Sequence, residues 1–161
     1  MPSFQEHILQ ARNNWNALRH IVSTECYDWQ VNVCFYTAFH FLQAYFAKMN
    51  FHPASHVQIE RFFKQLSKKN GKLKSEVRAA YKTLEDLSRM ARYLIDVNNP
   101  DVSKAIFVSE IDAAIAIREL NIIAVYFSKK YHLSFPKITV THSQTAAELK
   151  QSLDYFETGG K

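Results

Sequence analysis

The 161-residue chain is expected to be all-α: an up-and-down bundle of four long helices and one short one. Three features carry that expectation. Only 3 glycines are present, and two of them occupy positions 159 and 160, too few for the turns of an all-β fold. The remaining breakers, Pro2, Pro53, Gly71, Pro100 and Pro136, stand far apart. Between them apolar residues recur at i, i+3 and i+4, with no strand-type alternation of any length. Short connections then set neighbouring helices antiparallel.

The first helix is expected over residues 4–23. Ser3 and Glu6 have capping-box spacing, and Ile8, Ala11, Trp15, Leu18 and Val22 form one stripe. The second, over 27–49, is apolar nearly all round and is therefore buried by the bundle, by a partner, or by both. Phe35, Phe39, Leu42 and Phe46 make one of its stripes; Trp29, Val33, Tyr36 and His40 make another. Ser55 and Gln58 open a short third helix, to 67. A basic turn, KKNGK, leads to the fourth helix, 73–95, whose Glu85 and Arg89 have i, i+4 spacing. Ser109 and Asp112 start the fifth, to 131, with Ile111, Ala114, Ile115, Ile122 and Val125 as its main face and Ala113, Ala116, Ile117 and Leu120 widening it, as in a sandwiched or self-associating helix. Residues 1–132 are read as the bundle. Residues 133–161 are read as an irregular C-terminal tail, with a short extended piece at 138–141 and a short helix over 146–156.

Composition narrows the function classes. With 47% hydrophobic and 14% aromatic residues, the chain can build a core. It has no glycine run of the kind that cradles phosphate in a loop. No stretch of about 18 apolar residues is present, so no membrane span is expected, and the first residues lack the pattern of a secretory signal. Cys26 and Cys34, placed on one helix, would stand ~12 Å apart, beyond disulfide reach. A reduced, cytoplasmic protein is expected.

The net charge of +5 is unevenly placed. Residues 48–92 hold eleven Lys/Arg against four Asp/Glu, whereas the rest holds nine against eleven. A basic middle suits anionic partners such as RNA or nucleotides; it also describes a solvated face that keeps a protein soluble.

Three constellations could carry chemistry. Tyr36 and His40 share a face of the second helix. His40 is either a buried neutral imidazole, satisfied by Tyr36 or a backbone carbonyl, or a polar group lining a cleft. His52, Ser55, His56 and Arg61 surround the start of the third helix, where free amides and the dipole attract phosphate, although His52 and His56 fit an ordinary solvated loop as well. Ser88, Arg89, Arg92 and Tyr93 suit a phosphate clamp with a stacking ring, or a set of structural salt bridges. No metal or cofactor is expected: Pro53 keeps His52 and His56 off a common helix, and the cysteines lack C-x-x-C spacing.

The run YDWQVNVCFYTAFHFLQAYFAKMNFHPASHVQIERFF, followed by LEDLSRMARY, resembles prokaryotic HEPN-domain proteins. The likeness is to a small subgroup with Asp-Trp opening the second helix, Phe-Tyr-x-Ala-x-His within it, then His-Pro-x-Ser-His and a segment like Arg-x-Ala-Arg-Tyr. Here these are Asp28-Trp29, residues 35–40, residues 52–56 and residues 89–93. The resemblance spans roughly residues 4–131 and is most specific over 27–61.

It implies a helical bundle, often a homodimer, that binds nucleotides or RNA. Many members are metal-independent ribonucleases of toxin–antitoxin or defence systems, with an Arg followed after four to six residues by a His. That signature is missing. Val125, Tyr126 and Phe127 hold the required positions before His132, and Phe135, Pro136 and Lys137 hold them before His142. Seven residues separate Arg12 from His20, one too many. The expectation is therefore a nucleotide- or RNA-binding module without classical ribonuclease activity. Tyr36, His40, His52, His56, Arg61, Arg89, Arg92 and Tyr93 are its candidate contacts. The alternatives are a noncanonical metal-independent ribonuclease built from His40, His56 and Arg92, or a dimeric protein-interaction or antitoxin-like module.

Overall fold

A computed structural model describes residues 1–53, 55–66, 73–95 and 107–159. The basic turn KKNGK and the loop before 107 lie outside the described residues, as do the side chains of His56 and Leu66. The fold is the expected all-α bundle. Its helices are α1 (Phe4–Ile21), α2 (Tyr27–Ala47), α3 (His56–Leu66), α4 (Ser75–Tyr93), α5 (Glu110–Tyr131) and α6 (Ser143–Leu149); β1 (Ile138–Val140) and β2 (Phe156–Thr158) flank α6.

The N-terminus of α1 is a capping box: the Glu6 N–H donates to Ser3 Oγ at 3.3 Å, and the Ser3 N–H donates to the Glu6 carboxylate at 2.7 Å. Its whole predicted stripe, Ile8, Ala11, Trp15, Leu18 and Val22, is buried. Asp112 closes the start of α5 by accepting from the N–H and hydroxyl of Ser109, each at 2.8 Å.

Helix α2 runs through the centre, against α1, α4 and α5. The bundle itself therefore covers most of its apolar surface. Phe35, Leu42 and Phe46 are buried; in the other stripe Trp29 and Tyr36 are exposed, while Val33 and His40 are half-buried. Helix α5 buries the widening part of its expected face, Ala113, Ala116, Ile117 and Leu120, together with Ala114, Ala124 and Phe127, whereas Ile111 and Ile122 of the expected main face are 49% and 36% exposed. Apolar residues surround α5, so periodicity leaves its phase open; packing against both α2 and α4 decides it.

Residues 133–159 add a small unit to one side of the bundle. Strands β1 and β2 pair in parallel, with Ile138 opposite Phe156. The extended piece stands where expected, but the helix is earlier and shorter than 146–156. His142 caps α6 by accepting the Thr145 N–H at 3.4 Å, and Lys150 in the left-handed region ends it. Phe156 is then drawn into the core against Trp15, ring centres 5.3 Å apart. The Trp15 indole N–H donates to the Pro136 carbonyl at 2.9 Å, and Arg12 donates to the Ser134 carbonyl at 2.8 Å. Cys26 precedes α2 and Cys34 is buried within it; both are free thiols. Among the described residues no helix is long and apolar enough to cross a membrane.

Candidate functional site

Helices α3 and α4 run side by side, with the start of α3 beside the end of α4. Aromatic contacts seat α3: Phe62 stacks on Phe51 at 4.2 Å, and Phe63 lies 6.2 Å from Tyr81. The Gln58 N–H donates to Ser55 Oγ at 3.3 Å, one half of the expected capping box. Between the two helices lies a groove of about 400 Å³, bounded by Val57, Glu60, Lys82, Glu85, Arg89, Arg92 and Tyr93.

Its charges are arranged in two groups. The Lys82 ammonium lies 3.0 Å from Asp86, 3.5 Å from Glu85 and 3.8 Å from Glu60. Partial burial works to lower the Lys82 pKa, but the Asp86 hydrogen bond and the three carboxylates outweigh it and raise the pKa above the usual value. The carboxylates that face the groove are thus gathered on Lys82. Neither Arg89 nor Arg92 forms a salt bridge among the described residues.

Arg92 is nevertheless held in place. Its Nε–H donates to the Ser88 carbonyl at 3.1 Å, and its guanidinium lies 5.2 Å from the Tyr93 ring centre and 6.0 Å from that of Phe35. Leu94, left-handed at φ 55°, ends α4 just beyond Tyr93, so Arg92 also sits at the negative end of the helix dipole. Ser88 is structural: it is fully buried, and its hydroxyl donates to Asn32 Oδ1 at 2.8 Å.

The histidines gather elsewhere. His40 Nδ1 lies 3.2 Å from His7 Nδ1, with ring centres 5.5 Å apart. Across that contact one nitrogen donates and the other accepts, so a single proton serves both. The partner of His40 is thus His7, rather than Tyr36 or a carbonyl. Burial, then the like charge of His7, lowers the His40 pKa to about 4. Burial also lowers that of His7, with His52 adding to the effect and Glu6 opposing it.

The structure therefore brings Arg89, Arg92 and Tyr93 into one groove, and sets His40 and His52 around His7. Tyr36 packs edge-on to Phe35, 5.1 Å between ring centres, and does not border the groove. Arg61 is exposed on α3 and also lies off its lining. The side chain of His56 is outside the described residues. Reading by motif missed His7 and Lys82. A hairpin centred near residue 24 places position 7 opposite position 40, the signal that could have found His7. No group of three or more His, Cys, Asp or Glu residues is placed to hold a metal ion among the described residues.

A helical bundle with a basic groove at its α3–α4 edge is the class defined by this geometry. The family profile described as HEPN domain matches residues 4–124, and the chain belongs to that family. Neither a curated protein nor a solved structure matches it.

Proposed function

We propose that this chain is a nucleotide- or RNA-binding HEPN module, without classical ribonuclease activity, in a toxin–antitoxin or defence context. Family membership supports a nucleotide- or RNA-related or toxin–antitoxin-type role. The observation that carries the finer reading is the pairing pattern of the groove. Lys82 takes up the carboxylates, which leaves Arg89 and Arg92 as two guanidiniums beside the exposed Tyr93 ring. Guanidiniums bind phosphate oxygens through paired N–H donors, and an exposed aromatic ring stacks on a base. The missing Arg-x(4–6)-His signature supports binding without the family's usual cleavage. His52, His56, Arg61 and Tyr36 serve this reading as outlying contacts to a longer strand.

The His7–His40 contact favours one second reading, a metal-independent ribonuclease in which neutral His40 is the general base. A homodimer or a protein partner would use the outward apolar residues of α2 and α5, among them Trp29, 62% exposed, and Ile111.

Labelled single-stranded RNA incubated with the full chain and EDTA separates these readings. Binding without cleavage, weakened by Arg92→Ala, is the expected result. Cleavage lost in His40→Ala would replace it with the ribonuclease. Neither binding nor cleavage would leave the protein-interaction reading.

A further inference from the structure

The α3–α4 seam holds a second cavity, on the other side of the Lys82 bridge from the arginine groove. Its volume is about 400 Å³, and Ile59, Phe63, Ala79 and Tyr81 give it an apolar, aromatic wall. The Lys82–Glu60 ion pair, at 3.8 Å, crosses the seam and closes the cavity at one end. Lys64, Ser75 and Arg78 stand at the other end.

The two ends differ in charge. Glu60 and Glu85 border the closed end, where both are gathered on Lys82. Arg78 has no salt bridge among the described residues, and its Nε is buried without a hydrogen-bond partner. The residue is half-buried, so its guanidinium loses hydration with no carboxylate to offset the loss. An anionic group at the cavity mouth would supply that partner. The positive end of the α4 dipole lies on the same side, since α4 begins at Ser75 and its cap residue Lys74 makes no side-chain bond. The wall between the two ends is apolar, and an empty apolar space forfeits contacts that a hydrocarbon body restores. Arg78 and Glu85 are seven residues apart on α4, about 10 Å of helix rise, which an extended chain of about eight carbons spans.

We infer that this cavity binds an apolar monocarboxylate. The carboxylate lies on the Arg78 guanidinium, and the hydrocarbon body lies between Ile59, Phe63 and Ala79. Glu60 and Glu85 at the closed end repel the reverse orientation. The site is separate from the arginine groove and does not depend on what that groove binds.

Calorimetric titration of the full chain with octanoate, octanol and acetate tests the assignment, using Ala79→Trp and Arg78→Gln. Ala79 is exposed on α4, so the larger side chain fills the cavity without entering the core. Octanoate is expected to bind the wild type, and acetate, which lacks the hydrocarbon body, is not. Ala79→Trp should abolish octanoate binding. Arg78→Gln should weaken octanoate about tenfold, as loss of a charged hydrogen bond does, and leave octanol unchanged. Each variant is read alongside its melting temperature, and either one, folded as the wild type is, decides the matter. No octanoate binding to the wild type would overturn the inference, as would equal octanoate affinity in the wild type and a folded variant. Octanol bound as tightly as octanoate by the wild type would overturn it too, because the cation would then contribute nothing.

Discussion

His40 meets His7 across the α1–α2 hairpin at a distance where both rings cannot be protonated on the facing nitrogens. Its pKa is lowered from 6.5 to about 4, so the unfolded chain binds more protons than the folded one between those values. Stability must then fall as pH drops through that window and level off above it. His7, lowered in the same direction, adds to the effect. His40→Asn is expected to flatten the dependence of the melting temperature on pH between 7 and the low end of the window, relative to the wild type. Parallel curves would contradict the account. At this scale the sequence was only partly legible. Arg89, Arg92 and Tyr93 were readable because they lie close together on one helix. The His7–His40 contact was not, since it depends on the register of two helices.

Helix identity and most helix ends follow from local chemistry. Ser3 and Glu6 announce α1, and the bonds they make are the ones their spacing implies. Ser3→Ala should cost about 1 kcal/mol, read as a shift in urea midpoint at unchanged slope. An unchanged midpoint would mean that this cap contributes nothing. Helix α2 was legible through its continuous apolar run, which marks a central position. The same property hid the phase of α5, where alanines and isoleucines surround the axis and only tertiary packing selects Ile117 and Leu120 over Ile111 and Ile122. The segment around Phe156 was misjudged for a related reason. Its local pattern suits a helix, but a contact with Trp15, far away in sequence, makes it a strand.

The molecule as a whole is one core with a basic edge. Phe135, Ile138, Val140, Leu149 and Phe156 join the same buried cluster as the bundle residues. Trp15 is the main link, through its rings and its bond to Pro136. Trp15→Phe should destabilise the protein by about 2 kcal/mol, from the lost hydrogen bond and the space left behind. It should also speed amide exchange in β1 and β2; unchanged exchange there would detach the C-terminal segment from this anchor. The groove of α3 and α4 carries the functional claim, which is that Arg89 and Arg92 neutralise phosphates. The most direct measurement is the salt dependence of single-stranded RNA binding for the wild type and for the Arg89→Ala, Arg92→Ala double variant. Each phosphate contact contributes about 0.7 to the slope of log affinity against log salt for single strands. The double variant is therefore expected to bind more weakly and to lose about 1.4 from the slope. Equal slopes for the two proteins would contradict the account, because the cations holding the strand would then lie elsewhere.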